Sequence, residues 1–159
     1  MQMLVKDIVK ACNGVLLCGD PETVITSVEP DSRLIAPGAL FVPIIGQKTD
    51  AHQYIQQTFD KGAVAALTQE HTSMKDSAHC WIYVEQTQDA LQQIATVYRN
   101  QFQVPVVGVT GSVGKTSTRE MIALALSAEK NVMQTKGNSN SQIGLPLTMF
   151  QFEEEHTAG

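Results

Sequence analysis

The chain has 159 residues, 43% of them hydrophobic, which is enough to bury one core or two small ones and excludes disorder as its default state. A formal charge of -5 argues against broad binding to nucleic acid or to an anionic membrane, so any affinity for phosphate has to be local. No apolar stretch reaches membrane-spanning length, and Met1 to Asp7 lacks the basic-then-apolar layout of a secretory leader, which predicts a cytoplasmic address without membrane insertion. Cys12, Cys18 and Cys80 are odd in number and never spaced Cys-x-x-Cys, so inert thiols are expected in place of a disulfide or zinc framework. His52, His71, His79 and His156 are scattered, none in a paired-ligand spacing.

In chain order, Leu4, Val5, Ile8, Val9 and Cys12 recur at helical spacing ahead of Gly14 and predict an opening amphipathic helix. Val24-Ile25 and Ala39 to Val42 predict strands, the second entered through Pro37-Gly38. Asp50 with Gln53 has the form of a capping box, after which Tyr54, Ile55 and Phe59 line one face of a helix ending near Gly62. Ala63 to Leu67 and Trp81 to Val84 complete a first α/β unit. A second unit opens with a helix carrying Leu91, Ile94, Ala95, Val97 and Tyr98 and continues with a buried strand at Val104 to Val107. A further helix has Met121, Ile122, Leu124 and Ala125 as its core face, followed by a strand at Val132-Met133, a polar loop over 137–141 and an apolar stretch from Ile143 to Phe152. The expected division falls near residue 85, giving units 1–85 and 86–159.

Directly behind the apolar run at 104–107 stands Gly108-Val109-Thr110-Gly111-Ser112-Val113-Gly114-Lys115-Thr116. Such a strand-to-helix loop suits phosphate. Its glycines let backbone N–H groups turn inward, Lys115 supplies a mobile positive charge, the Thr116 hydroxyl can hold Mg²⁺, and the following helix aims its N-terminus at the anion. The generic pattern places glycine where this chain has Val109; here it stands at Gly108. A sheet of this kind needs several parallel strands and a strand-end carboxylate for the metal, yet only about 55 residues follow from Val104. Glu153, Glu154 and Glu155 read as a solvated loop, so the carboxylate is expected beyond Gly159, with 86–159 the truncated start of a P-loop parallel-sheet ATPase domain.

The run from Gly108 to Thr118 resembles the ATP loop of the Mur ligases, which build the peptide of bacterial peptidoglycan. Gly-Asn-Ser-Asn-Ser-Gln-Ile-Gly-Leu-Pro-Leu-Thr at 137–148 is similar to the D-alanyl-D-alanine-adding branch of that family, whereas the sibling that adds the third amino acid differs there. Asp31-Ser32-Arg33, Pro37 to Val42, Gly46, Asp50-Ala51-His52 and Gly62-Ala63 resemble the UDP-sugar domain shared by the two siblings. Two positions depart from the pattern: Ala51 stands where Asp-Gly-His is usual, and Ser141 where a second Asn follows Asn140.

The resemblance implies a small N-terminal α/β UDP-substrate domain ahead of the ATPase domain, and an ATP-dependent amide-bond ligase acting through an acyl phosphate. ATP and Mg²⁺ are its cofactors; UDP-N-acetylmuramoyl tripeptide and D-alanyl-D-alanine are its partners; nucleic acid is not, and C-terminal domains complete the enzyme. Thr110, Gly111, Ser112, Val113 and Gly114 would cradle phosphate, with Lys115 on the β/γ-phosphates, Thr116 on the metal and Asn138 in the phosphate and metal surroundings. Ser32, Arg33, Asp50 and His52 would serve the UDP side. On residues alone, Asp31-Ser32-Arg33 is equally a turn with a surface ion pair and Asp50 an N-cap, while a histidine placed like His52 is more often a satisfied surface or core residue than a ligand contact. Asn138 and Asn140 are equally loop residues tolerating left-handed backbone. The functional alternatives are the sibling ligase and a non-catalytic nucleotide-sugar-binding module.

Overall fold

A computed structural model of the chain describes residues 1–47, 49–73, 78–135 and 141–159. The opening helix α1 (Val5–Ala11) forms as its spacing predicts, burying Val5 and Ile8 and stopping at Cys12. It is preceded by β1 (Met3–Leu4), which pairs antiparallel with β3 (Val24–Ile25) as a two-stranded ribbon. The main sheet takes β2 (Val15–Cys18), β4 (Ser27–Glu29), β5 (Ala39–Phe41), β6 (Ala65–Thr68) and β7 (Cys80–Tyr83) in the order β2-β7-β6-β5-β4. All neighbours are parallel except β2, which runs antiparallel to β7.

Two-residue alternation along these strands decides the layers. Leu40, Val42, Ala65, Leu67, Cys80, Ile82 and Val84 point to one face, where α1 and α3 (Thr87–Arg99) close over them with Ile8, Leu91, Ile94 and Tyr98. Phe41, Ala66 and Trp81 point to the other, where Ile55 and Phe59 of α2 (Ile55–Asp60) cover them. A parallel sheet is stable only with both faces covered, and this one has both. Helix α2 ends at Gly62, whose φ of 107° belongs to the left-handed region that favours glycine. All three cysteines are free, and burial pushes the Cys12 thiol up, as suits an inert core group.

Past α3 the packing changes. The side chain of Arg99 donates to the carbonyls of Phe102 (3.0 Å) and Val104 (2.7 Å), and the Tyr98 hydroxyl donates to the Phe152 carbonyl at 2.7 Å. These bonds fix the path of the chain from α3 toward the glycine-rich loop. Helix α4 (Lys115–Leu126) and the short α5 (Gly144–Met149) follow, the latter laid against α3.

Three expectations are corrected here. Residues 104–107 are not a regular strand: the Val107 N–H donates to the Gly159 carbonyl (2.7 Å) and the Gly159 N–H to Pro105 (3.0 Å), while Val132 bridges Ala158 in parallel. That ladder is one rung deep on each side, and Pro105 brings no N–H to lengthen it. On α4 the expected core face is largely open, with Met121 72% and Leu124 76% exposed and only Ala123 buried, because no described element packs on them. The Asp50 cap is real but the box is not: the Asp50 carboxylate accepts from the His52 N–H, a 3₁₀ turn runs over Ala51–Tyr54, and Gln53 donates its amide to the Asp50 carbonyl.

Candidate nucleotide and substrate sites

From residue 108 the backbone runs without regular structure into the first turn of α4. Gly114 caps that helix at φ 78° with nothing within 4 Å of where a Cβ would stand, so backbone conformation and not space is what requires glycine. Its carbonyl accepts from the Thr118 N–H at 2.9 Å, closing the first helical turn. The remaining N–H groups at the start of α4 have no intrahelical partner and concentrate partial positive charge there. Thr110, Gly111, Ser112, Val113, Gly114 and Thr116 are exposed around this turn. Lys115 is half-buried and folds its ammonium back onto the Gly111 carbonyl, so its charge lies across the loop.

Gly108, Thr110, Gly111, Lys115, Thr116 and Arg119 line a cavity of about 680 Å³ together with apolar residues that include Val132, Met133, Leu145 and Met149. Its polar residues can hold a phosphate chain. The Thr116 hydroxyl is a hard oxygen donor of the kind Mg²⁺ takes, but among the described residues the lining contains no carboxylate. Glu153, Glu154 and Glu155 are exposed and stand outside that lining. Asn138 lies outside the described residues.

The candidate substrate residues sit at the opposite end of the chain. Ser32 and Arg33 follow β4, while Asp50 and His52 follow β5, and these strands are parallel neighbours. Both loops therefore leave the carboxyl edge of the sheet, where open α/β sheets place ligands. Arg33, 84% exposed, is paired within its own turn: Nε donates to Asp31 Oδ1 at 2.9 Å and Nη2 to Oδ2 at 2.6 Å. The guanidinium lowers the Asp31 carboxyl to about 2. The Ser32 carbonyl accepts from the Lys61 ammonium at 2.7 Å.

His52 is only 5% exposed. Its Nδ1 donates to Asp50 Oδ1 at 2.6 Å, and its Nε2 accepts from the Gln69 N–H at 3.2 Å, which assigns a neutral ring with both nitrogens engaged. Burial works to raise the Asp50 carboxyl, but hydrogen bonds from the His52 backbone and ring outweigh it and leave the group below its ordinary value. Gln69 and Thr87 complete this cluster and escaped the sequence reading. Gln69 lies 17 residues from its histidine partner, and no local spacing announces such a contact.

The matches to known families divide at the same place as the two sites. The Mur ligase family catalytic domain matches residues 24–106, and the Mur ligase middle domain matches residues 109–159. The chain belongs to the Mur ligase family. Over 151 residues it is 38% identical to UDP-N-acetylmuramoyl-tripeptide–D-alanyl-D-alanine ligase of Bacillus subtilis, covering 94% of this chain and 33% of the relative. Over all 159 residues it is 36% identical to the ligase of that name from Buchnera aphidicola, covering 34% of it. Among solved structures, MurF from Acinetobacter baumannii superposes with a TM-score of 0.89 at 28% identity, covering 99% of this chain and 35% of that one. MurF ligase from Thermotoga maritima in complex with ADP gives 0.74 at 31% identity, covering 83% and 30%. The chain thus spans about a third of the length of the curated relatives it matches. Among the described residues, no helix is long and apolar enough to cross a membrane.

Proposed function

We propose that this chain supplies the UDP-substrate domain and the ATP loop of a ligase that joins D-alanyl-D-alanine to UDP-N-acetylmuramoyl tripeptide in the cytoplasm, for peptidoglycan synthesis. One observation carries the proposal: the loop capped by left-handed Gly114 delivers Lys115 and Thr116 to the start of α4, within a chain similar over its whole length to ligases of that name. The division of labour proposed is residues 1–85 for the UDP substrate and 86–159 for ATP.

The chemistry follows from the groups present. A carboxylate is a poor acyl donor at neutral pH, so the tripeptide's terminal carboxylate attacks the γ-phosphorus of ATP, giving an acyl phosphate and ADP. Backbone N–H groups from Thr110 to Gly114 and the Lys115 ammonium take up the charge that develops on the phosphate oxygens. The Thr116 hydroxyl would hold Mg²⁺, which would supply neutralisation of the phosphate charge. The amine of D-alanyl-D-alanine then attacks the acyl carbon, and the tetrahedral intermediate expels phosphate as the amide forms. Ser32, Arg33, Asp50 and His52 are proposed to shape the UDP side, directly or through one another.

The deciding experiment gives the full-length natural enzyme ATP, Mg²⁺ and UDP-N-acetylmuramoyl tripeptide with D-alanyl-D-alanine, and separately the dipeptide precursor with a free diamino acid. Phosphate release only with the first pair is expected. Turnover only with the second would reassign the chain to the sibling ligase, and none with either would leave a binding module.

A further inference from the structure

His52 spends both ring nitrogens inside the protein, one on Asp50 and one on the N–H of Gln69. The side chain of that same Gln69 reaches α3: its Oε1 accepts from the Thr87 N–H at 3.0 Å. The Thr87 hydroxyl donates to the Pro43 carbonyl, in the loop that leads to Asp50. Gln86, at the N-cap position of α3, makes no capping bond of its own, so the helix is capped from outside by a residue of the β6 loop. Thr87 is buried, and breaking these bonds would strand donors that water cannot reach.

The next residue faces the entry to α5. Gln88 donates its side-chain amide to the side chain of Gln142, and Gln92, one turn later, donates to the Gln142 backbone carbonyl at 3.4 Å. Gln142 follows Asn140 by two positions in the polar stretch, and beside it the Ser141 hydroxyl accepts from the Gly144 N–H at 2.8 Å to start α5. The first turn of α3 is therefore tied on one side to the loops carrying Asp50 and His52, and on the other to Gln142 at the entry to α5.

We propose that α3 is a hydrogen-bonded strut that sets the spacing between the substrate loops and the α5 side of the ATP cavity, with Gln69 and Gln88 as its positioning residues and His52 part of the strut and not a ligand. This rests on the ligase function proposed above. Acyl-phosphate formation requires the carboxylate and the γ-phosphorus to meet in line, and a misplacement of about 1 Å can cost about a hundredfold in rate. A strut changes geometry between two bound substrates and leaves each substrate's own contacts intact, so its loss is read in kcat and not in KM. Its links act in series. The Gln92 bond and the packing of α5 on α3 remain in every variant, so breaking one polar link loosens the coupling without separating the elements, and breaking the second adds little.

The test uses the full-length enzyme with Gln69→Leu, Gln88→Ala and both together. Each single change should lower kcat about tenfold with KM for ATP and for UDP-N-acetylmuramoyl tripeptide within about twofold, and the pair should be no worse than about twofold below the poorer single. Gln88→Glu keeps the bond by turning the Gln142 amide round and should restore the rate. Amide exchange over residues 141–149, measured without substrates, should quicken in Gln69→Leu. Losses that multiply independently, KM changes in place of kcat, or unchanged exchange at 141–149 would overturn the strut. If Gln69→Leu does not fold, the surface pair at Gln88 decides alone, and an unchanged kcat in Gln88→Ala overturns the proposal. If the unmodified enzyme makes no ligase product while the exchange coupling is seen, the proposed function falls and the strut remains.

Discussion

Lys115 places its ammonium on the Gly111 carbonyl, an exposed contact that a phosphate oxygen can replace at little cost. Its charge is then worth most where negative charge accumulates, in the transition state for phosphoryl transfer. In the full-length enzyme, Lys115→Ala should slow acyl-phosphate formation by roughly a hundredfold or more. Single-turnover phosphate transfer measures this, and near-normal turnover in a folded variant would reduce the loop to a structural turn. Arg33 makes the contrasting case, because its guanidinium is already paired with Asp31. Its pairing lowers Asp31 to about 2, so the ionised pair favours the fold above the ordinary carboxylate value, a preference lost as pH falls through about 2. Arg33→Ala should return the Asp31 titration toward about 3.9, followed by carboxyl chemical shifts. An unmoved titration would remove the guanidinium as the cause. The phosphate loop was legible in sequence because nine consecutive residues carry it. The environment of His52 was not, since its second partner arrives from the loop after β6.

Helices α3 and α4 have similar lengths and opposite fates. On α3, Leu91, Ile94, Ala95 and Tyr98 fall on one stripe that meets β-sheet residues and α1 as its spacing predicts, while Val97, read with them in the sequence, lies off the stripe and is exposed. Ile94 is fully buried there, so Ile94→Ala should cost roughly 2–5 kcal/mol of stability, read by denaturant unfolding with an unchanged slope. A cost under about 1 kcal/mol would mean that the site collapses around the missing atoms. On α4 the apolar residues were equally legible, but a face becomes a core face only when another element covers it, and no sequence window contains that element. The same limit hid β1, β2 and β4. Tertiary pairing makes them strands. Conversely, Val104 to Val107 has the composition of a buried strand and lacks a ladder long enough to be one.

These differences sum to a molecule with unequal halves. The five-stranded sheet is covered on both faces, whereas Val132, Ala158 and Val106 begin a parallel ladder whose two rungs leave α4 with only Ala123 buried. Helix stability in a protein comes mainly from packing an apolar face, and a 12-residue helix without such packing is marginal in water. The 159-residue chain by itself should therefore show graded stability, with amides of 115–126 exchanging with solvent well before those of α3 or of β5 to β7. It should also bind a hydrophobic dye through Met121 and Leu124, and release no phosphate from ATP and the two ligase substrates at an ordinary enzymatic rate of about 1 to 10³ s⁻¹. Exchange measured residue by residue on this chain, with Leu124→Lys as a control that removes apolar surface without touching the sheet, separates the causes. Dye binding lost in Leu124→Lys, with α3 protection unchanged, would place the exposed surface on α4. Protection of α4 equal to that of α3, with no dye bound, would mean that the chain covers this face by itself, and the contrast drawn here between a finished sheet and an open ladder would fail.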